Sequence, residues 1–215
     1  ARAHADYFGA LASAAAPELK GGPEQLEQLD LLELEHTNLQ RALEYFLQVN
    51  NAGSAFVFAN SLFNYWFIRG HWNEAQQFYE LILALNGDPI SASHPDLDNQ
   101  RARTLANTGY IATVQGHYKT ATELLAQSVE TFQKNNNDAG LAHALLYQGV
   151  NENYRNQYAE AEQCHRKSHA LFEKTGDTLG RAASLHELAN DVLRQGPLDA
   201  AKTYFEEALT LRKQA

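Results

Sequence analysis

Apolar residues along this chain recur at helical spacing in runs that come in pairs, each pair divided by a short polar turn, and that spacing predicts antiparallel helix hairpins. The pairs repeat every 40 residues: Leu105, Leu145 and Leu185 superpose, as do Gly109, Gly149 and Ala189, and Ala121, Ala161 and Ala201. The turn inside each pair reads Gln115-Gly116-His117-Tyr118, then Asn156-Gln157-Tyr158, then Gln195-Gly196-Pro197-Leu198. Gly or Asn there adopts the left-handed backbone that closes a helix, and the large residue two positions on is expected to plug the hairpin end. Gly140 and Gly180 follow the turns between pairs, where Asn137-Asp138 and Gly176-Asp177-Thr178 supply short polar side chains to cap the next helix. An earlier copy stands at Gly70-His71-Trp72 and Ala75, displaced by 46 residues from Gly116-His117-Tyr118 and Ala121. The extra length is expected in a loop from Asn86 to Asp98 that carries Gly87, Pro89 and Pro95.

The last copy places Leu185, Leu188, Ala189, Val192, Ala201, Phe205 and Ala208 on successive positions of the pattern W-x2-L-G-x2-Y…A-x3-F and so resembles the tetratricopeptide repeat. The small residues Ala75, Ala121, Ala161 and Ala201 sit where two helices would cross too closely for a larger side chain. The third copy departs from the pattern, with Gln148 and Glu152 at normally apolar positions and His165 where Phe is usual. The period also exceeds the common repeat of about 34 residues and is similar to extended kinesin-light-chain-like and bacterial regulatory arrays. The resemblance implies an all-α fold, a right-handed superhelical array of antiparallel helix hairpins (a tetratricopeptide-like α-solenoid) with about ten helices. Four hairpins are expected at about residues 52–85, 98–135, 138–175 and 178–213, preceded by a helical arm over residues 1–50.

Within that arm His4-Ala5-Asp6-Tyr7-Phe8, Leu11-Ala12, Leu29 through Leu34, and Glu35 through Tyr45 are similar to the arm before the repeats in large bacterial signal-transducing ATPases of the STAND type and LuxR-like transcriptional regulators. Leu39, Ala42, Leu43 and Phe46 would equally form the buried stripe of an ordinary amphipathic helix. The regulator resemblance implies that the array is a sensor and interaction surface. The phosphate-cradling G-x4-G-K-[ST] loop is absent from the sequence, so any ATPase would lie outside this segment. The sequence contains no methionine and is expected to be a piece of a longer protein.

Charge narrows the partners. Lys and Arg number 17 against 26 Asp and Glu, a net charge of -9, and an acidic surface repels nucleic-acid phosphates. The single cysteine, Cys164, cannot close an internal disulfide, which fits a reducing, cytoplasmic compartment. No apolar run reaches the roughly 20 residues that a membrane helix needs. Nine histidines are the tempting chemistry. His71 and His117 follow hairpin glycines at equivalent positions, which argues for a turn role. His165 and His169 have the i, i+4 spacing of a metal pair, but H-E-x-x-H and a third ligand are missing and His165 falls on the packing face. Neither a nucleophile turn nor a Gly-rich phosphate loop is present, so no enzyme activity, metal or cofactor is expected.

In a stacked array the first helix of each pair lines the concave face. The residues expected there are Asn64, Arg103, Tyr110, His143, Tyr147, Asn153, Tyr154, His186, Asn190 and Arg194. Asn pairs with both polar groups of an extended backbone and Tyr offers rigid contact area tipped by a hydroxyl, so a protein, peptide or small-molecule effector is the expected partner. Three functions stay open: the sensor or oligomerisation part of an ATPase-linked regulator, a free-standing adaptor for an extended peptide or two proteins, and, remotely, a metal-dependent enzyme using His165 and His169. The last helix, near Tyr204 to Leu211, either caps the array or docks onto a further repeat, which leaves self-association open.

Overall fold

The computed structural model describes residues 1–85, 95–196 and 198–214. Among them stand eleven α-helices, one short 3-10 turn and no strand, the all-helical fold that the periodicity predicts. Helices α1 (Arg2–Ala15), α2 (Gln25–Leu34) and α3 (His36–Gln48), with the 3-10 turn Glu18–Lys20 between the first two, precede four successive pairs. These are α4 (Ala52–Arg69) with α5 (Trp72–Leu83), α6 (Pro95–Val114) with α7 (Tyr118–Lys134), α8 (Asp138–Tyr154) with α9 (Tyr158–Thr175), and α10 (Thr178–Gln195) with α11 (Leu198–Gln214). The chain divides into two compact units, Ala1–Asn107 and Thr108–Ala215.

The expected loop from Asn86 to Asp98 does not extend over its last residues. Residues 86–94 lie outside the described residues, while 95–98 form the first turn of α6. Proline tolerates a first helical position because its missing N–H would have no partner there, and Asp96 and Asp98 favour the positive end of the helix dipole. Elsewhere the local signals hold. Gly116 and Asn156 close α6 and α8 with φ of 83° and 62°, a conformation that glycine takes freely and asparagine tolerates. The side chain of Asn137 accepts from Gly140 N at 2.9 Å and that of Asp177 from Gly180 N at 2.8 Å, capping α8 and α10. Asn137→Ala is expected to cost about 1 kcal/mol, visible as a lower urea midpoint at unchanged slope. The plug after the turn fails in the last copy: Tyr118 and Tyr158 are half-buried, but Leu198 is 67% exposed, since no hairpin among the described residues follows it.

In the N-terminal unit α1 and α3 pack on α4, burying Phe8 and Ala12 beside Leu39, Ala42, Leu43 and Phe46. Trp66, which is buried, stacks on Phe78 at 6.0 Å and meets Tyr79 edge-on at 5.7 Å. In the C-terminal unit the helices approach through small residues. A Cβ on Gly109 would lie 2.7 Å from Leu125, on Gly140 2.3 Å from the Phe132 ring, on Gly149 2.3 Å from the His165 ring and on Gly180 2.3 Å from the Phe172 ring. Ala121, Ala161 and Ala201 are likewise buried, as is Ala75 in the first hairpin, and each leaves room for a neighbouring helix.

Candidate partner-binding face

The first helices of the C-terminal unit carry a run of tyrosines. On α8 His143, Tyr147 and Tyr154 are spaced by four and seven residues, so they share one face. The Tyr147 ring stacks on Tyr110 of α6 at 4.4 Å with planes 22° apart, and the Tyr154 ring stacks on Tyr118 at 5.9 Å. Tyr154 is 54% exposed, whereas Tyr110 and Tyr147 are half-buried. Burial pushes the Tyr110 phenol up to about 12, reinforced by the carboxylate of Glu187 and by Tyr154. Its hydroxyl therefore keeps its proton near neutral pH, and the charge of Glu187 on α10 is felt there.

Beside Glu187, Asn190 donates to its carboxylate at 3.4 Å. His143 Nε2 lies 3.7 Å from Asp177 and its ring meets Phe172 edge-on at 4.8 Å. His186 packs edge-on against Phe205 at 5.3 Å, and the Arg194 guanidinium lies 5.7 Å above the Tyr158 ring on α9. Rigid aromatic area and the carboxylate of Glu187 suit a partner that presents a cationic side chain: ring faces and Glu187 both attract positive charge.

Of the ten residues expected on the binding face, Asn64 and Arg103 lie in the N-terminal unit, half-buried and exposed respectively, and the other eight in the C-terminal unit. Asn153 is a correction. It is buried, and its amide donates to Asp191 Oδ1 at 2.6 Å, while Asp191 Oδ2 bonds His165 Nδ1 at 2.6 Å with both residues wholly buried. The cause is register. Thr113, one 40-residue period earlier, is also fully buried and bonds Asn151 at 3.2 Å, so this position faces the next first helix rather than solvent. Glu187 was missed although it stands one period after Tyr147; only its charge set it apart.

His165 and His169 turn to different partners on α10, the His165 Nδ1 to Asp191 and the His169 Nδ1 to Ser184 Oγ at 3.1 Å. The unusual polar pair of the third copy has its own setting: Gln148 and Glu152 line a cleft of about 410 Å³ with Cys164, and Glu152 is bridged by Arg155 at 2.8 Å. Burial first, then the Glu152 charge, pushes the Cys164 thiol up to about 11, which leaves little thiolate for nucleophilic work.

A chain of capped hairpins that meet through small residues defines a helical repeat. Residues 140–214 match the tetratricopeptide-repeat family model. No curated protein sequence matches. Among solved structures, BtubC (BKLC) from P. vanneervenii superposes with a TM-score of 0.64 at 18% identity, covering 98% of this chain and 91% of that one. The apo form of RapI gives 0.63 at 16% identity, covering 99% of this chain and 84% of RapI. A kinesin-light-chain-type protein of nearly identical TPR-like repeats from Podosopora anserina gives 0.57 at 19%, covering 90% and 98%. At these identities the likeness shows the fold alone. Among the described residues no helix is long and apolar enough to cross a membrane.

Proposed function

We propose that this protein is a non-catalytic binding module whose C-terminal unit holds an extended, positively charged protein segment against the first helices α6, α8 and α10. The observation that carries this reading is the stacked Tyr110 and Tyr147 pair with exposed Tyr154 on the same face of α8, within reach of the Glu187 charge. Exposed Tyr154 supplies contact area, and Glu187 supplies the countercharge for a Lys or Arg of the partner. The acidic balance of the chain favours the same class of partner.

The arm's similarity to signal-transducing ATPases supports a finer role as the sensor or oligomerisation part of a cytoplasmic ATPase-linked regulator, in which partner binding shifts the assembly of the remaining domains. The reading frame discriminates: a P-loop encoded upstream supports the regulator, and a short free-standing frame favours an adaptor. The binding face is tested with a fluorescent panel of extended peptides that differ only in Lys, Arg, Glu or neutral side chains. Basic peptides are expected to bind, and Tyr154→Ala with Glu187→Gln to weaken them about tenfold or more at nearly unchanged melting temperature. Equal binding of the acidic and basic sets, or undiminished binding by the double variant, overturns the reading.

A further inference from the structure

At the end of the first hairpin, in the N-terminal unit, two histidine rings and two carboxylates meet. His71 precedes α5, Glu74 lies in its first turn, His36 opens α3 and Glu33 ends α2. The His36 and His71 rings are stacked with centroids 4.5 Å apart, and His36 Nε2 lies 3.0 Å from Glu74 Oε2. One ligand atom from each of His36, His71 and Glu74 falls within 4.8 Å of the others, the single such group of three among the described residues. All three side chains are half-buried.

The surrounding hydrogen bonds orient each of them. The Tyr65 hydroxyl donates its only proton to Glu33 Oε2 at 3.0 Å, so toward His36 Nδ1, 2.8 Å away, the phenol oxygen accepts. That places a proton on Nδ1 and turns Nε2 toward the Glu74 carboxylate. Nε2 and the Glu74 oxygen thus face one another across a gap that a proton or a metal ion can bridge. Glu74 cannot swing aside without loss: Trp66 Nε1 donates to its Oε1 at 3.1 Å and Gln40 Nε2 to its Oε2 at 2.9 Å. His71 Nε2 lies 3.2 Å from Glu33 Oε2, and Arg69, which also acts on Tyr65, is neutralised by its ion pair with Asp30.

We propose that His36, His71 and Glu74 form a site for a zinc-class divalent ion. Two imidazoles and a carboxylate are the donor set that Zn²⁺ favours over oxygen-preferring ions such as Mg²⁺. Tyr65, Trp66, Gln40 and Glu33 hold the ligands from behind, as outer partners of metal sites do. The ion would tie α3 of the arm to the start of α5, so binding would stiffen the N-terminal unit. The site is separate from the partner-binding face and stands or falls without it.

The test uses the whole chain, stripped with chelator and titrated with zinc chloride. About one zinc per chain is expected to bind saturably, with a rise in melting temperature, and cobalt in its place is expected to give visible d–d absorption. His71→Ala and Glu74→Gln are expected to weaken zinc by about tenfold or more, whereas His169→Ala leaves it unchanged. Should His71→Ala lose helical circular dichroism, Glu74→Gln, which preserves shape, carries the decision. No saturable zinc uptake, or uptake that survives Glu74→Gln, overturns the site; in the first case a proton on His36 fills the place of the ion.

Discussion

Asp191→Ala is expected to destabilise the protein by about 3–5 kcal/mol, measured as a fall in urea midpoint and melting temperature. The Asp191 carboxylate is wholly buried and accepts on both oxygens, from Asn153 Nδ2 and from His165 Nδ1, each at 2.6 Å. Alanine would strand two buried donors and leave a void where no water reaches them. Asp191→Asn is expected to cost less, about 1–2 kcal/mol. It keeps the volume and one acceptor for His165, and its new amide can donate to Asn153 Oδ1, which is buried without a hydrogen-bond partner, once the Asn153 amide turns over. Equal losses from the two variants would show that the trio is held by charge and not by its hydrogen-bond pattern.

That trio also marks where the sequence stops being informative. Caps at Asn137 and Asp177, the left-handed turns at Gly116 and Asn156, and the crossing alanines are decided by residues within a few positions of one another, and all were legible. Asn153 was not, because a helix has two polar-tolerant faces and only the next hairpin determines which of them is covered. A clue existed in the spacing. Thr113 pairs with Asn151 and Asn153 with Asp191, both 38 residues apart, so polar rungs recur between successive first helices at nearly the repeat length. Glu187 was hidden differently: it occupies the place of Tyr147 one period on, and charge there looked like a solvated surface. His36 and His71, separated by 35 residues, meet only because α3 and α5 both reach the same end of α4, which no local pattern encodes.

Phe172→Ala is expected to cost about 3–5 kcal/mol, and the neighbouring glycine makes the cause testable. Phe172 is 0% exposed, packs with Ala142 and Leu146, and lies close against Gly180, where an added Cβ would come within 2.3 Å of its ring. Gly180→Ala alone therefore sets an overpacking cost of about 1–3 kcal/mol against a helix-propensity gain of about 1 kcal/mol. In the Phe172→Ala background the obstruction is gone, so the same substitution should become neutral or stabilising and fill part of the cavity. The two changes are thus expected to couple favourably, the double variant being more stable than the sum of the single losses allows. Phe132 and Gly140 repeat the contact one period earlier, so the same cycle there should give a coupling of the same sign. Strictly additive losses at both places would mean that the rings do not rest on the glycines, and the close helix approach within the C-terminal unit would need another cause.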